Sequence, residues 1–99
     1  MNYAYLLLCA DGSLYAGWTN DLQRRLHTHN EGRGAKYTRS RRPVRLVYAE
    51  AFETKEEAQK REYQFKKLRR PQRLSLIHAG QEDAEITALV ESINTVKIQ

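Results

Sequence analysis

Two short apolar runs open the chain. YAYLLLC, from Tyr3 to Cys9, and SLYAGW, from Ser13 to Trp18, are aromatic and aliphatic, and the Asp11-Gly12 pair between them predicts a β-hairpin. Thr19 and Asn20 then offer helix N-caps, and Leu22, Leu26 and His29 recur at i, i+4 and i+7. That spacing predicts a helix over about 21–30 with these three on one face, ended by Gly32 and Gly34. GRGAKYTRSRRP has no apolar period and reads as a loop, and VRLVYAEAF, from Val44 to Phe52, as a third strand. Thr54 and Glu57 have capping-box spacing and open a long helix to about Leu68. Pro71 imposes a break or a new helix start. Residues 72–79 then read as a short helix and Glu82 to Ile93 as another, with Ile86, Leu89, Val90 and Ile93 in a stripe that packs on the body. The order β-β-α-β-α-α predicts an α+β domain, a small three-stranded antiparallel sheet flanked by helices.

The hairpin carries a geometric condition. If Asp11-Gly12 were a two-residue turn, Tyr5 would face Trp18, and Tyr15 would lie on the opposite side of the sheet from Tyr5. A type I turn with Gly12 in the left-handed region forms a G1 bulge and shifts the pairing by one residue. Tyr5 and Tyr15 then share a face. Any site that uses both phenols requires the bulge.

Composition adds the setting. Ninety-nine residues suffice for one domain with a modest core. No apolar run is long enough to span a bilayer, and the N-terminus lacks the pattern of a secretory signal, so no membrane partner is expected. The single Cys9 cannot form an internal disulfide, which leaves a reduced, cytoplasmic location as the expectation. The net charge is +5, unevenly placed: residues 81–99 hold four acids and one lysine, so this acidic tail carries −3 and residues 1–80 carry +8. A basic body of this kind suits a polyanion, nucleic acid first. Residues 1–80 are expected to form the working domain, with 81–99 a helical tail on or beside it that could also cover the basic cleft.

Several side chains can carry chemistry, and each has a plainer reading. Arg25 and His29 are four residues apart and stack on one side of the first helix; they could equally be a solvated charge and a helix-end histidine favoured by the macrodipole. Glu62 falls between Ala58 and Phe65, beside the apolar face of the long helix, where a carboxylate is costly unless it is paired or holds a cation. Lys66 at i+4 offers the simple pair. Arg33, Lys36, Arg39, Arg41 and Arg42 crowd the glycine-containing loop around Tyr37, and Lys66 and Lys67 lie in a second basic stretch. Such groups can track a phosphate backbone, with the aromatic stacking on a base, although charge runs are commonly solvated faces.

Tyr3-Ala4-Tyr5, Tyr15-Ala16-Gly17 ten residues after Tyr5, Arg25 eight after Gly17, and the later helical Glu62 come in the order and spacing of one known group. The chain resembles the GIY-YIG nuclease superfamily over about residues 3–78, and GRGAKYTRSRRPVRLVYAE and REYQFKKL look like its small stand-alone bacterial members. The resemblance implies a phosphodiesterase dependent on Mg²⁺ or Mn²⁺. Tyr5 matches the tyrosine of the first motif and Tyr15 that of the second. Arg25 matches the arginine that contacts the scissile phosphate, and His29 a position where relatives carry histidine or tyrosine. Glu62 matches the metal-binding carboxylate. Three departures stand out: Tyr-Ala-Tyr replaces Gly-Ile-Tyr, Trp18 stands where excision-repair relatives have a lysine, and the asparagine that often follows the glutamate has no counterpart except Asn94 in the tail.

These residue types suit the reaction. Attack on a phosphodiester builds charge on the nonbridging oxygens, which an arginine and a divalent cation stabilise. A lone carboxylate ligand suits Mg²⁺, which keeps several waters. A phenol assisted by the metal or by His29 could relay a proton from the attacking water, and which of Tyr5, Tyr15 and His29 is the base stays open at this level. The expected function is endonuclease-like hydrolysis of DNA, structure-specific or repair-related, with RNA a second candidate substrate and a monomer compatible with the chain. The alternatives are a non-catalytic nucleic-acid-binding module on the same fold and a protein-interaction domain using the tail helix.

Overall fold

The protein is described by a computed structural model covering residues 1–95; the last four positions of the predicted tail, 96–99, lie outside the described residues. The elements are β1 (Asn2–Leu8), β2 (Leu14–Thr19), α1 (Leu22–Asn30), α2 (Lys36–Arg39), β3 (Arg45–Phe52), α3 (Lys55–Lys67), α4 (Arg70–Gln81) and α5 (Ala84–Thr95). The three strands form an antiparallel sheet in the order β2-β1-β3. β1 is central, and Ala4, Tyr5, Leu6 and Leu7 are all buried, so side chains on both its faces are covered. That is why it reads as a continuous apolar run rather than an alternating one.

Each face of the sheet has its own core. Tyr5, Leu7, Leu46 and Ala49 pack with Leu22 and Leu26 of α1 and with Leu89, Val90 and Ile93 of α5. Ala4, Leu6, Ala16 and Tyr48 pack with Phe65 of α3, Leu76 and Ile77 of α4, and Ile86 at the start of α5. The tail helix therefore lies against β3, α4 and α1; its apolar stripe is core, and it is no cover over the basic cleft. No helix among the described residues is long and apolar enough to cross a membrane.

The hairpin takes the bulged form. Gly12 sits at φ +83°, its N–H donates to Cys9 O at 2.9 Å, and Cys9 N–H donates to Ser13 O at 2.9 Å. Tyr5 then pairs with Gly17 and Leu7 with Tyr15, which places both phenols on one face.

Thr54 and Glu57 do form the capping box of α3, and Pro71 does lie in the first turn of a helix. The N-cap of α1 is Asp21, not Thr19 or Asn20: its carboxylate accepts from Arg24 N–H at 3.1 Å, while Thr19 Oγ1 accepts from Asp21 N–H at 3.1 Å and shapes the turn before it. Gly32, at φ +83°, closes α1 with Gly32 N–H to His29 O and Arg33 N–H to Thr28 O, a Schellman arrangement; Gly34 plays no part in it. The segment read as loop contains α2, a single turn too short to show an apolar period.

The outer edge of β3 is closed by amide side chains instead of a fourth strand. Asn94 Oδ1 accepts from Leu46 N–H at 2.9 Å, and Asn94 Nδ2 donates to Leu46 O at 2.7 Å. Asn30 makes the same pair of bonds to Val44, at 2.7 and 2.9 Å. Each amide mimics a peptide group and satisfies an edge that would otherwise be free to pair with another chain. Leu46 is buried, so Asn94→Ala leaves its N–H unsatisfied and is expected to lower unfolding stability by about 1–3 kcal/mol, read as a lower urea midpoint at unchanged slope.

Candidate active site

Four elements converge beneath the hairpin. β1 supplies Tyr5, β2 supplies Tyr15 and Gly17, α1 supplies Arg25 and His29, and the turn of α2 supplies Thr38. Tyr5 Oη lies 3.0 Å from His29 Nε2, and Arg25 Nε–H donates to the same oxygen over a long 3.4 Å. His29 and Thr38 are both 0% exposed, so bulk solvent does not reach the imidazole. His29 Nδ1 instead meets Thr38 Oγ1 at 2.9 Å. The Tyr15 ring stands edge-on to His29, with centroids 5.4 Å apart, and its phenol acts on the Arg25 guanidinium.

Two glycines make room for this cluster. Gly17 faces Tyr5 across the hairpin, and a Cβ built there would lie 2.5 Å from Tyr5 Oη and 3.2 Å from the Tyr15 ring. The glycine of the second motif is thus a space requirement. Gly34 packs its backbone on the His29 ring, where a Cβ would run into the imidazole. Its reason is contact with a histidine five residues earlier, which no local turn signal discloses.

Burial sets the protonation states. Loss of solvent pushes the Tyr5 phenol up to about 12, against the opposing Arg25 hydrogen bond, and the charges of Tyr15 and Glu62 add to the rise. Burial first, and the Arg25 charge second, push His29 down to about 4. At neutral pH the resting site therefore holds a neutral phenol against a neutral imidazole.

Glu62 comes from α3, on the other face of the sheet. Its side chain is 20% exposed, and its partner among the described residues is Lys66 Nζ at 3.6 Å, so the simple i, i+4 pair does form, as a long contact. No group of three or more His, Cys, Asp or Glu side chains could hold a metal ion among the described residues. The donor set is one carboxylate, which fits a hard, largely hydrated cation such as Mg²⁺ or Mn²⁺ and does not fit a zinc centre.

The basic residues divide into two groups. Arg41 donates to Asp11 Oδ2 at 3.0 Å and to Tyr37 O at 2.8 Å, and its guanidinium lies over the Tyr37 ring at 4.0 Å. Arg42 donates to Arg39 O at 2.9 Å, and Arg33 pairs with Glu31. Lys67 lies over the Tyr63 ring. Lys36 and Arg39 are exposed on α2. Tyr37 stacks on Tyr15, with centroids 6.0 Å apart, and borders a shallow depression with Lys66 and Arg73. Arg41 and Arg42 thus direct their hydrogen bonds to the protein and fasten α2, while Lys36 and Arg39 are exposed and Lys66 is shared with Glu62. Sequence reasoning missed Thr38 and the contact with His29 that requires Gly34.

An arginine and a histidine thus bracket one phenol under a tyrosine–glycine hairpin, and comparison with known proteins identifies the family to which this fold belongs. A family profile described as the GIY-YIG catalytic domain matches residues 1–75. The chain belongs to the GIY-YIG family. It is 64% identical over 77 residues to the UPF0213 protein CPE1444 of Clostridium perfringens, covering 78% of this chain and 83% of that one. It is 58% identical over 69 residues to the UPF0213 protein YazA of Bacillus subtilis, covering 70% of each. The solution NMR structure of the UPF0213 protein BH0048 from Bacillus halodurans superposes with a TM-score of 0.52 at 50% identity, over 80% of this chain and 85% of that one. That of EF2693 from E. faecalis superposes at 0.56 and 46% identity, over 83% and 88%.

Two outcomes follow from the geometry. Gly17→Ala displaces the Tyr5 phenol and is expected to cost about 1–3 kcal/mol of stability, with loss of the Tyr5–His29 contact in the NMR spectra. His29 has a folded pKa of about 4 against an unfolded value near 6.5, so between these values the unfolded chain binds the extra proton. Its contribution is complete above about pH 6.5 and is lost as pH falls towards about 4, by up to about 3 kcal/mol. Urea titrations at pH 7 and 4.5 should show this loss in the parent and a smaller one in His29→Gln.

Proposed function

We propose that this protein is a metal-dependent endonuclease that hydrolyses phosphodiester bonds in DNA, with structure-specific or repair-related substrates, and that Tyr5, Tyr15, Arg25, His29 and Glu62 are its working residues. The observation that carries this reading is the meeting of Arg25 and His29 on the Tyr5 oxygen. A packing tyrosine needs neither partner.

With the phenol neutral at rest, Tyr5 serves as a relay. Tyr5 Oη takes a proton from the attacking water as its own proton passes to His29 Nε2, and the water oxygen bonds to phosphorus while the leaving oxygen departs. The Arg25 guanidinium meets the nonbridging oxygens as their charge grows. An arriving phosphate also offsets the Arg25 charge that helps to hold His29 down, so substrate binding makes the imidazole a better acceptor. Mg²⁺ or Mn²⁺ at Glu62 would supply electrostatic stabilisation of the oxygens that gain charge. Lys36, Arg39, Lys66 and Lys67 would hold the flanking backbone, and Arg33, Arg41 and Arg42 would add to the field around it. A DNA or RNA strand is the partner this charge pattern suits, in a cytoplasmic setting.

The test incubates the pure protein with Mg²⁺ or Mn²⁺ and a panel of single-stranded, branched and duplex DNA and RNA. Cleavage is expected with either metal and not in EDTA, with Arg25→Ala reduced about 100- to 1,000-fold and Glu62→Ala inactive. Equal cutting by these variants would remove the assigned site. Salt-sensitive binding without cleavage in any metal would make the protein a binding module on the same fold.

A further inference from the structure

Thr38 lies outside the five residues assigned above, yet it completes their hydrogen-bond chain. Its hydroxyl is 2.9 Å from His29 Nδ1 and 2.9 Å from Ala35 O. It has one proton to place between them. A carbonyl oxygen only accepts, so if the hydroxyl donated to His29, two oxygens would stand 2.9 Å apart with no proton between them. Donation to Ala35 O satisfies both contacts, provided that His29 Nδ1 carries the imidazole proton. Nε2 is then bare, and at 3.0 Å the Tyr5 hydroxyl donates to it. Arg25 Nε–H already points at the same phenolic oxygen.

We infer that Thr38 is a positioning residue that fixes His29 as the Nδ1–H tautomer, so that the Tyr5 phenol directs its proton at His29 Nε2 and presents its lone pairs to Arg25 and the incoming water. The chain of donors runs one way, from Arg25 to Tyr5 to His29 to Thr38 to Ala35 O. The opposite tautomer would put a proton on Nε2 facing Tyr5, and the phenol would have nowhere to send its own. α2 is fastened to deliver this hydroxyl: Ala10 N–H donates to Arg41 O at 2.9 Å, and the Arg41 side chain ties the end of α2 to Asp11 in the hairpin turn. The Arg41 contacts and the tautomer thereby belong to one device. The catalytic part of this inference rests on the nuclease reading; the tautomer itself does not.

Long-range proton–nitrogen NMR of isotopically labelled protein at neutral pH reads the His29 tautomer directly, because the protonated ring nitrogen and the bare one resonate far apart. The parent and Thr38→Ser are expected to show Nδ1–H and a bare Nε2. Thr38→Val, which keeps the shape and loses the hydroxyl, is expected to populate the Nε2–H form. In the cleavage assay Thr38→Val should then lose about 10- to 100-fold in kcat with KM little changed, while Thr38→Ser keeps most of the activity. A parent histidine in the Nε2–H form, or a Thr38→Val protein that keeps Nδ1–H, overturns the inference, and the parent spectrum decides it even if Thr38→Val does not fold. If the tautomer behaves as stated but no protein cuts nucleic acid, the nuclease reading fails and the positioning role stands.

Discussion

Gly12 holds a left-handed conformation that turns the hairpin with one extra residue, and every side-chain placement in the site depends on that slip. Side chains alternate across a strand, so a one-residue change of register moves Tyr15 from one face of β2 to the other. With the bulge, Tyr5 stands opposite Gly17 and two pairs away from Tyr15 on the same face, and the two rings flank the buried His29. Without it, Trp18 would occupy the position across from Tyr5 and no space would exist for the phenol. The turn is held from outside as well: Asp11 takes the Arg41 guanidinium and the backbone of Ser13, so the register and the position of α2 are coupled.

Much of the frame was legible because it rests on local chemistry. Asp11-Gly12, the Thr54–Glu57 box and Pro71 announce a turn and two helix starts within a few residues of themselves, and the buried central strand shows as an unbroken apolar run. The bulge was legible only as a condition, since both turn geometries suit the same residues. What stayed hidden is long-range. Asn94 reads as one more polar residue on an acidic helix, yet it pairs with the backbone of Leu46, 48 positions away. Thr38 reads as a loop threonine, and its burial against His29 follows only from the docking of α2. Gly34 reads as a helix stop because glycine after a helix commonly is one, and its actual reason is the imidazole against its backbone.

The basic loop shows how a charge count misleads when side chains have work inside the protein. Arg41 and Arg42 belong to the excess that suggested a polyanion, but their donors meet Asp11, Tyr37 O and Arg39 O. An arginine offers five donors in a rigid fork, which makes it as apt for fastening a loop to backbone carbonyls as for gripping phosphate. Their charge still contributes to the field over the site. Lys36 and Arg39, exposed on α2, are the cations of this loop that do not serve that fastening through their side chains.

Arg25 and Glu62 belong to helices packed on opposite faces of the sheet, and both charges reach the Tyr5 phenol for which the glycine of the second motif makes room. α1 holds its guanidinium against the Tyr5 oxygen from one side, while the Glu62 carboxylate on α3 still acts on the same phenol from the other. Across the hairpin from that phenol β2 presents Gly17, where a Cβ would lie 2.5 Å from the oxygen. A larger residue would displace the phenol from the point where it meets the Arg25 guanidinium. The charges are of opposite sign and are not paired with each other: Glu62 contacts Lys66 and Arg25 contacts the Tyr5 phenol. The Tyr5 oxygen therefore feels both charges with only one of them in hydrogen-bond contact, the guanidinium lowering the phenol's pKa and the carboxylate raising it.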